Sequence, residues 1–440
     1  MKPLCLTIAV IFCVILAKGQ SNNTGHTEIT EWQYGKNGAL SITYDDGSRH
    51  QFTNALPIME RLKLPATFFV ITGGIPGSKY HGKFIGRPVK EIIAETATIP
   101  TNDKNFLERC SAAGYLGYKG TITYVTRAAS MYDNPRRKEQ AFKLMDEVYQ
   151  KVRNGDFQPG YQPCDEVLQE AGDTWDELRR DAAKGYEIAS HSITHASMPG
   201  LDSVNIVYEL EKSKEEIKNQ MGEQYTFSTE VPYGYENERV MQIAYKIYPA
   251  LRNRMPEPWL TELDRPSRKT PAVNKLDYVQ WQRECNTHSP LPLMKSWVDT
   301  AAARRDTWLV LVIHGVDGLG YEALPSTMLD EYFQYIKSKN NNLWIATFGE
   351  VTKYMREREA ANVKETRKKD RILISLNHPL DKSMYNIPLT LRTNVSAHWK
   401  HASVKQGNHL QKIAVANGAG GASVQYQAYP NEGVISIAGS

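Results

Sequence analysis

The chain has 440 residues, of which 23% are charged and 10% aromatic, and a formal net charge of +4. That composition describes a globular chain with core enough for one large domain or two, and excludes a disordered one. No long Lys/Arg block or nucleic-acid motif occurs, so no nucleic-acid partner is expected.

The N-terminus reads as a signal peptide over 1–19. Met1-Lys2 supplies the positive region, Pro3 to Ala17 the apolar run, and Ala17-Lys18-Gly19 the cleavage signal. The run is short for a membrane span, so no stable span is expected after cleavage. Export to the periplasm or the cell exterior follows, with a mature start near Gln20.

Beyond it, Leu40-Ser41-Ile42-Thr43-Tyr44 alternates as a strand and runs into Asp45-Asp46-Gly47. A helix is expected over Thr53 to Leu64 with Pro57 in its first turn, then a strand over Ala66 to Ile71. From Ile75 to about Gly172 the pattern loosens, with only short helical stretches such as Arg137 to Val152, and reads as an insertion. Thr174-Trp175-Asp176-Glu177 then looks like a capping box, with Gly185 as the helix stop.

The strand Tyr186 to Ala189 leads to His191-Ser192-Ile193-Thr194-His195. An amphipathic helix over Val204 to Met221, a strand near Tyr225 to Phe227, the loop Val231-Pro232-Tyr233-Gly234 and a helix over Asn237 to Tyr245 follow. Pro256 to Pro292 resists assignment. Lys295 to Arg304 reads as a helix. The apolar strand Trp308 to Ile313 ends at His314. A helix over Thr327 to Lys337, a strand over Leu343 to Thr347 and a helix over Gly349 to Glu359 complete the alternation. Alternating strands and helices imply a mostly parallel sheet or barrel, whose functional groups gather at strand C-terminal ends. After the charged stretch Arg356 to Arg371, short alternating runs to Ser440 suggest a small all-β appendage.

Outside the leader, Cys110, Cys164 and Cys285 allow at most one bridge within the chain, and buried thiols are the favoured state. The chemistry concentrates elsewhere. Adjacent carboxylates and two imidazoles four residues apart can supply three metal ligands and a spare carboxylate. Three protein ligands with an open position is the layout of a catalytic zinc site.

In these motifs the chain resembles the polysaccharide deacetylases, the NodB homology or carbohydrate esterase family 4 enzymes. Thr43-Tyr44-Asp45-Asp46-Gly47 resembles the family's T-F-D-D-G, and His191 to His195 matches H-[ST]-x-x-H. Val231 to Gly234 resembles R-x-P-Y-G, and Leu311 to His314 resembles the strand ending in the catalytic His. The resemblance implies a distorted (β/α) barrel over 25–360, with the insertion at about 75–172 and a β-rich accessory domain over 365–440. It implies Asp45 as general base and His314 as general acid. Asp46, His191 and His195 would bind one divalent ion, zinc before Co²⁺, Ni²⁺ or Mn²⁺. The backbone N–H of Tyr233 would stabilise the oxyanion.

An acetylated glycan is the implied substrate, and removal of N-acetyl groups the implied reaction. O-acetyl esterase activity on the same site and a non-catalytic glycan-binding protein are the alternatives. Two departures stand out. Glu230 occupies the place of the family's Arg before Pro-Tyr-Gly, with Arg252, Arg254 and Arg268 as candidate replacement cations. The family's Asp-Trp support for the acid has no clear match, with Asp299 and Asp306 as candidates by position. Oligomeric state is not legible.

Overall fold

The computed structural model describes residues 24–161, 165–168, 172–234, 237–252, 261–262, 279–305, 307–418 and 420–439. The expected leader, Cys164, Arg254, Arg268 and Asp306 lie outside them.

The chain opens with β1 (Thr27–Ile29), then β2 (Gly38–Tyr44), α1 (Leu56–Leu62) and β3 (Thr67–Val70). The insertion carries α2 (Val89–Glu95), α3 (Phe106–Gly114), α4 (Thr121–Tyr132), α5 (Lys138–Asn154) and α6 (Asp165–Leu168). Alternation resumes with α7 (Trp175–Ala183), β4 (Glu187–Ser190), α8 (Ser203–Met221), β5 (Ser228–Thr229), α9 (Glu238–Ile247), β6 (Ala250–Leu251) and β7 (Thr261–Glu262). It closes with β8 (Val279–Cys285), α10 (Leu291–Ala303), β9 (Thr307–Ile313), α11 (Ser326–Ser338), β10 (Leu343–Ile345) and α12 (Phe348–Ala360).

Strands β2 to β10 form one curled, all-parallel sheet in the order β6-β5-β4-β3-β2-β9-β8-β7. The distortion centres on β2. One edge pairs with β9 over Ala39 to Tyr44. The other is divided, with β10 on residues 38–40 and β3 on Thr43 and Tyr44. This curled parallel sheet is consistent with the distorted (β/α) barrel expected from the sequence.

Both faces of the sheet are covered, so strands such as β3 and β9 are nearly continuous apolar runs. In β9, Leu309, Leu311 and Ile313 pack with Met59, Trp297 and Phe333 of the outer helices. Trp308 and Val310 belong to the other core, with Phe69, Trp344 and Phe348. Thr174 and Glu177 form the expected capping box of α7, and Gly185 at φ 100° follows its end.

Three segments differ from the sequence reading. The strand expected at Tyr225 to Phe227 falls at β5, because 223–225 makes a 3₁₀ turn and the Thr226 hydroxyl donates to Glu223 O at 2.8 Å. Part of the unassigned Pro256–Pro292 stretch is β8, whose Gln280, Gln282 and Arg283 are buried. Its polar residues hid the strand. The insertion is a compact helical layer with its own core, including Ile92, Phe106, Met145 and Tyr149. Buried Arg109 anchors it, with Nη2 2.9 Å from Glu95 Oε1.

The C-terminal region is all β and antiparallel, as expected. It contains β11 (Asn362–Arg367), β12 (Arg371–Asn377), β13 (Leu389–Asn394), β14 (His401–Gln406), β15 (His409–Ala414), β16 (Ala416–Gly418), β17 (Gly421–Ala428) and β18 (Ile435–Gly439). These form two sheets, β11-β12-β18-β14-β15 and β1-β13-β17-β16. The N-terminal β1 thus completes a C-terminal sheet, with Ile29 opposite Leu391. Ile374, Leu391 and Ile437 share one core with Phe69 and Trp308 of the barrel.

Candidate active site

The ends of β2, β4, β5, β8 and β9 converge on a cavity of about 580 Å³. Asp45, Asp46, His191, His195, Glu230, Tyr233, Gln282, Glu284, His314 and Tyr321 are among its lining residues.

On one side, Asp46, His191 and His195 offer ligand atoms that all lie within 4.8 Å of one another. Asp46 Oδ1 is 3.2 Å from His195 Nε2 and 3.7 Å from His191 Nε2. The backbone sets this convergence. Asp46, Ser192 and His195 have φ of 75°, 65° and 61°, a sparsely populated region for non-glycine residues. The strain is held by neighbours. His195 N donates to Ser192 Oγ at 3.0 Å, and Gly73 N donates to Ile193 O at 2.8 Å. A Cβ at residue 73 would sit 2.5 Å from Ile193 O, so only glycine allows this approach. Buried Glu209 of α8 accepts from the N–H groups of Ile193 and Thr194 at 3.0 Å each and from the Thr194 hydroxyl at 2.8 Å. Tyr115 of the insertion adds a fourth bond to Glu209 at 2.8 Å.

This side fits a divalent cation. His191 Nδ1 lies 2.9 Å from Glu230 O, which fixes Nδ1 as the protonated nitrogen and turns the Nε2 lone pair toward Asp46. Burial holds His191 neutral, pulling it down to about 4. Burial opposes ionisation of Asp46, but the His195 contact overcomes it and keeps the carboxyl below its ordinary value. Asp46 Oδ1 is buried and makes no directed hydrogen bond among the described residues. One carboxylate oxygen and two imidazole nitrogens suit zinc and similar ions.

On the other side, Asp45 receives two bonds from buried Arg252, Nη1 to Oδ1 at 2.7 Å and Nη2 to Oδ2 at 2.5 Å. Such two-point pairing is among the stronger charge-assisted contacts. Arg252 Nε is 3.3 Å from Glu230 Oε2, and its guanidinium lies 4.9 Å from the Phe69 ring centre. Arg252, just past β6, therefore bridges Asp45 and Glu230. Its carbonyl accepts from Gln280 Nε2 at 2.7 Å and from Gln282 Nε2. Burial alone would raise Asp45; Arg252 and the imidazoles of His191 and His314 instead hold it well below the usual carboxylate range.

His314 Nε2 is 3.5 Å from Asp45 Oδ2, and Nδ1 is 3.9 Å from Glu284 Oε1 on β8. Glu284 takes the flanking position for which Asp299 and Asp306 were the sequence candidates. Asp299 instead accepts from the Tyr335 hydroxyl and pairs with Lys339, both at 2.7 Å. Gln51 donates through Nε2 to the carbonyls of both Asp45 and His314, tying the two loops together. Tyr233, at φ 65°, places its ring 4.4 Å from that of His195.

Sequence reasoning missed Gln51, Glu209, Gln282, Glu284 and Tyr321. Glu209 had a faint signal, a charged residue beside Leu210 of an apolar helix face. Cys110 and Cys285 are buried free thiols. Among the described residues no helix is long and apolar enough to cross a membrane.

The family model described as polysaccharide deacetylase matches residues 33–100 and 165–247, which include Asp45, Asp46, His191, His195 and Tyr233. The chain's resemblance to the polysaccharide deacetylases is thereby shown for the stretches carrying the first three motifs. A gellan lyase of Bacillus sp. is 23% identical over 271 residues, 58% of this chain and 11% of that protein. The chain thus spans about a tenth of the length of that curated relative. Among solved structures, the Xyl-CE4 domain of a multidomain xylanase from the hindgut metagenome of Trinervitermes trinervoides is 16% identical. It covers 74% of this chain and 92% of that one, with a TM-score of 0.34. A family 4 carbohydrate esterase from Bacillus anthracis is 14% identical, covering 75% and 88%, with a TM-score of 0.32.

Proposed function

We propose that this protein is a metal-dependent hydrolase that removes N-acetyl groups from a glycan. The observation that carries the reading is the pairing, in one cavity, of the Asp46-His191-His195 ligand set with the Asp45–His314 couple. A divalent ion, zinc first, would be held by Asp46, His191 and His195, and when bound supplies Lewis acidity toward a carbonyl and a more acidic water.

The chain's own groups supply the rest. Asp45 accepts the proton of the attacking water. It stays ionised across the working pH range, and Arg252 keeps its two oxygens oriented. His314 delivers a proton to the departing amine nitrogen, with Glu284 beside its other ring nitrogen. The backbone N–H of Tyr233 donates to the developing oxyanion, a contact of a kind worth about 10²–10³ in rate. Positioned acid–base groups typically contribute about 10²–10⁴-fold each.

Glu230 had favoured a binding protein that had lost its chemistry. The Arg252 bridge to Asp45 and Glu230 favours an intact catalytic site instead. We further propose export to the periplasm or cell exterior, on the signal-peptide reading of 1–19. Acetate release from a panel of N- and O-acetylated oligosaccharides, with and without chelator, tests the reading. Release from N-acetylated members, lost with chelator and regained with Zn²⁺, is the expected result. Release from O-acetylated members only would make the protein an esterase, and release from none would leave the binding protein.

A further inference from the structure

We infer that Tyr321 is a sugar-stacking residue at the rim of the cavity, gripping the glycan on the side of His314. The inference rests on the deacetylase reading for the class of ligand and adds a specificity-determining position to it.

Tyr321 is a large apolar ring left 61% exposed. Its centre lies 5.4 Å from the His314 ring, nearly perpendicular to it at 82°. An exposed aromatic on a mobile loop would mean little, but this loop is tightly built. Gly315 N donates to Tyr321 O at 2.8 Å, and Leu324 N to Gly315 O at 3.0 Å. Val316 and Leu319 exchange bonds of 3.0 and 3.1 Å. A Cβ on Gly315 would come within 2.7 Å of Leu319 O, so the loop folds back onto its own start.

Asp317 and Glu322 take φ of 47° and 45°, and Gly318 and Gly320 are also left-handed. Side chains hold this backbone in place. Asp317 Oδ1 accepts from Ser326 N at 2.7 Å, and Asp317 Oδ2 from Asn54 Nδ2 at 2.8 Å. Glu322 Oε2 accepts from Thr287 N at 3.2 Å and from the Thr287 hydroxyl. Left-handed non-glycine residues are costly and persist where the surroundings over-determine them, commonly at functional sites.

The result is a pre-positioned ring. Ordering costs for its backbone are met in folding, so a ligand seated on it need not meet them again. A second tyrosine completes the pattern. Tyr233, 37% exposed, lies against His195 on the ligand side of the cavity. One ring thus packs on His195 and the other on His314, and all four residues line the same cavity. A glycan laid from one to the other would present its acetyl group to that cavity. Flat apolar faces of sugar rings match exposed tyrosine rings, whereas ethyl acetate has no ring to stack on Tyr321.

The test compares Tyr321→Ala, Tyr321→Phe and Tyr321→Trp with the wild type. Substrates are ethyl acetate and acetylated oligosaccharides of one to five sugars. An aromatic contact worth about 0.5–1.5 kcal/mol corresponds to a roughly 2- to 13-fold effect. The ratio of kcat/KM for the longer oligosaccharides to that for the ester should fall by about this factor in the alanine variant. The loss should be carried by KM, and the aromatic variants should retain the ratio. An unchanged ratio in Tyr321→Ala would overturn the inference.

If the wild type deacetylates no glycan, the deacetylase reading fails and the inference is judged by binding. Migration in gels containing partly acetylated chitosan or acetylated xylan then decides. Retardation of the wild type relieved in Tyr321→Ala supports the sugar contact. Equal retardation of both, or none of the wild type, sinks it.

Discussion

The two sides of the cavity are built in opposite ways. The Asp46-His191-His195 side is made of short motifs whose backbone bends the ligands together. Its left-handed residues, Asp46, Ser192 and His195, are the ligands or lie between them, while Gly73 and Glu209 brace the loop from further along the chain. The Asp45–His314 side is assembled from distant parts of the chain. Arg252 reaches Asp45 from 207 positions away, and Gln51 links Asp45 to a carbonyl 263 positions further on. Local construction tolerates little change in residue type. Long-range construction permits exchange of position, provided that charge is conserved. Here acidic Glu230 stands ahead of Pro-Tyr-Gly, and Arg252, just past the next strand, supplies the cation beside Asp45.

The comparison breaks most sharply at the ligands. His191→Ala or His195→Ala should abolish stoichiometric metal in elemental analysis and with it measurable turnover. A full complement of metal in both variants would show that the local side is not a metal site.

Across the cavity, Asp45→Asn should retain the metal and lower turnover by about 10²–10⁴-fold, the range of a positioned acid–base group. Metal content and acetate release, measured on one preparation, separate the two sides. Loss of metal in Asp45→Asn would mean that the sides are not independent.

Arg252→Met tests the exchange itself. It leaves Asp45 and Glu230 buried without their cation, a kind of loss that typically costs about 3–5 kcal/mol. Chemical denaturation should show it, and adding Glu230→Gln to Arg252→Met should recover part of the loss. Glu230→Arg, which would place two guanidinium groups together, should destabilise rather than activate. The pH dependence has a definite sign. Asp45 titrates lower folded than unfolded, so its contribution is complete above the unfolded value of about 3.9 and is lost as pH falls through the folded one. Arg252→Met should therefore move acid unfolding to higher pH. Denaturation curves that superimpose on the wild type from pH 3 to 7 would contradict the bridge.

The same contrast explains what could be read from the chain. The alternating fold was legible because strands such as β9 are uninterrupted apolar runs between amphipathic helices. The metal side was legible because Asp45-Asp46 and the paired histidines are contiguous. Arg252 could be named only as one of three arginines, since spacing says nothing about which cation returns across the sheet. Glu284 and Gln282 sit on β8, where polar residues alternate with the core residues Trp281 and Cys285, but Arg283 interrupts the apolar face and left too short a run to read. The insertion looked irregular because its helices pack on a private core and do not alternate with strands. The C-terminal β region was visible as alternation. That β1 supplies one of its strands, and that Trp308 shares its core, depend on contacts more than 60 residues apart.

Tyr115→Phe gives the smallest expected effect and asks whether the insertion belongs to the local construction. Tyr115 is the insertion's hydrogen bond to Glu209, and Glu209 in turn holds Ile193 and Thr194 between the two histidine ligands. Removing the hydroxyl leaves Glu209 with three donors, enough to keep the loop shaped. A hydrogen bond to a charged group is worth about 1.5–3 kcal/mol, so a loss of stability within that range is expected. The metal should remain stoichiometric, but competition with a chelator of known affinity should show weaker holding, because the loop between the ligands has lost one brace. A variant equal to wild type in chelator competition, though less stable, would mean that the insertion steadies the fold without reaching the ligands. The two measurements together separate a strut of the site from a strut of the domain.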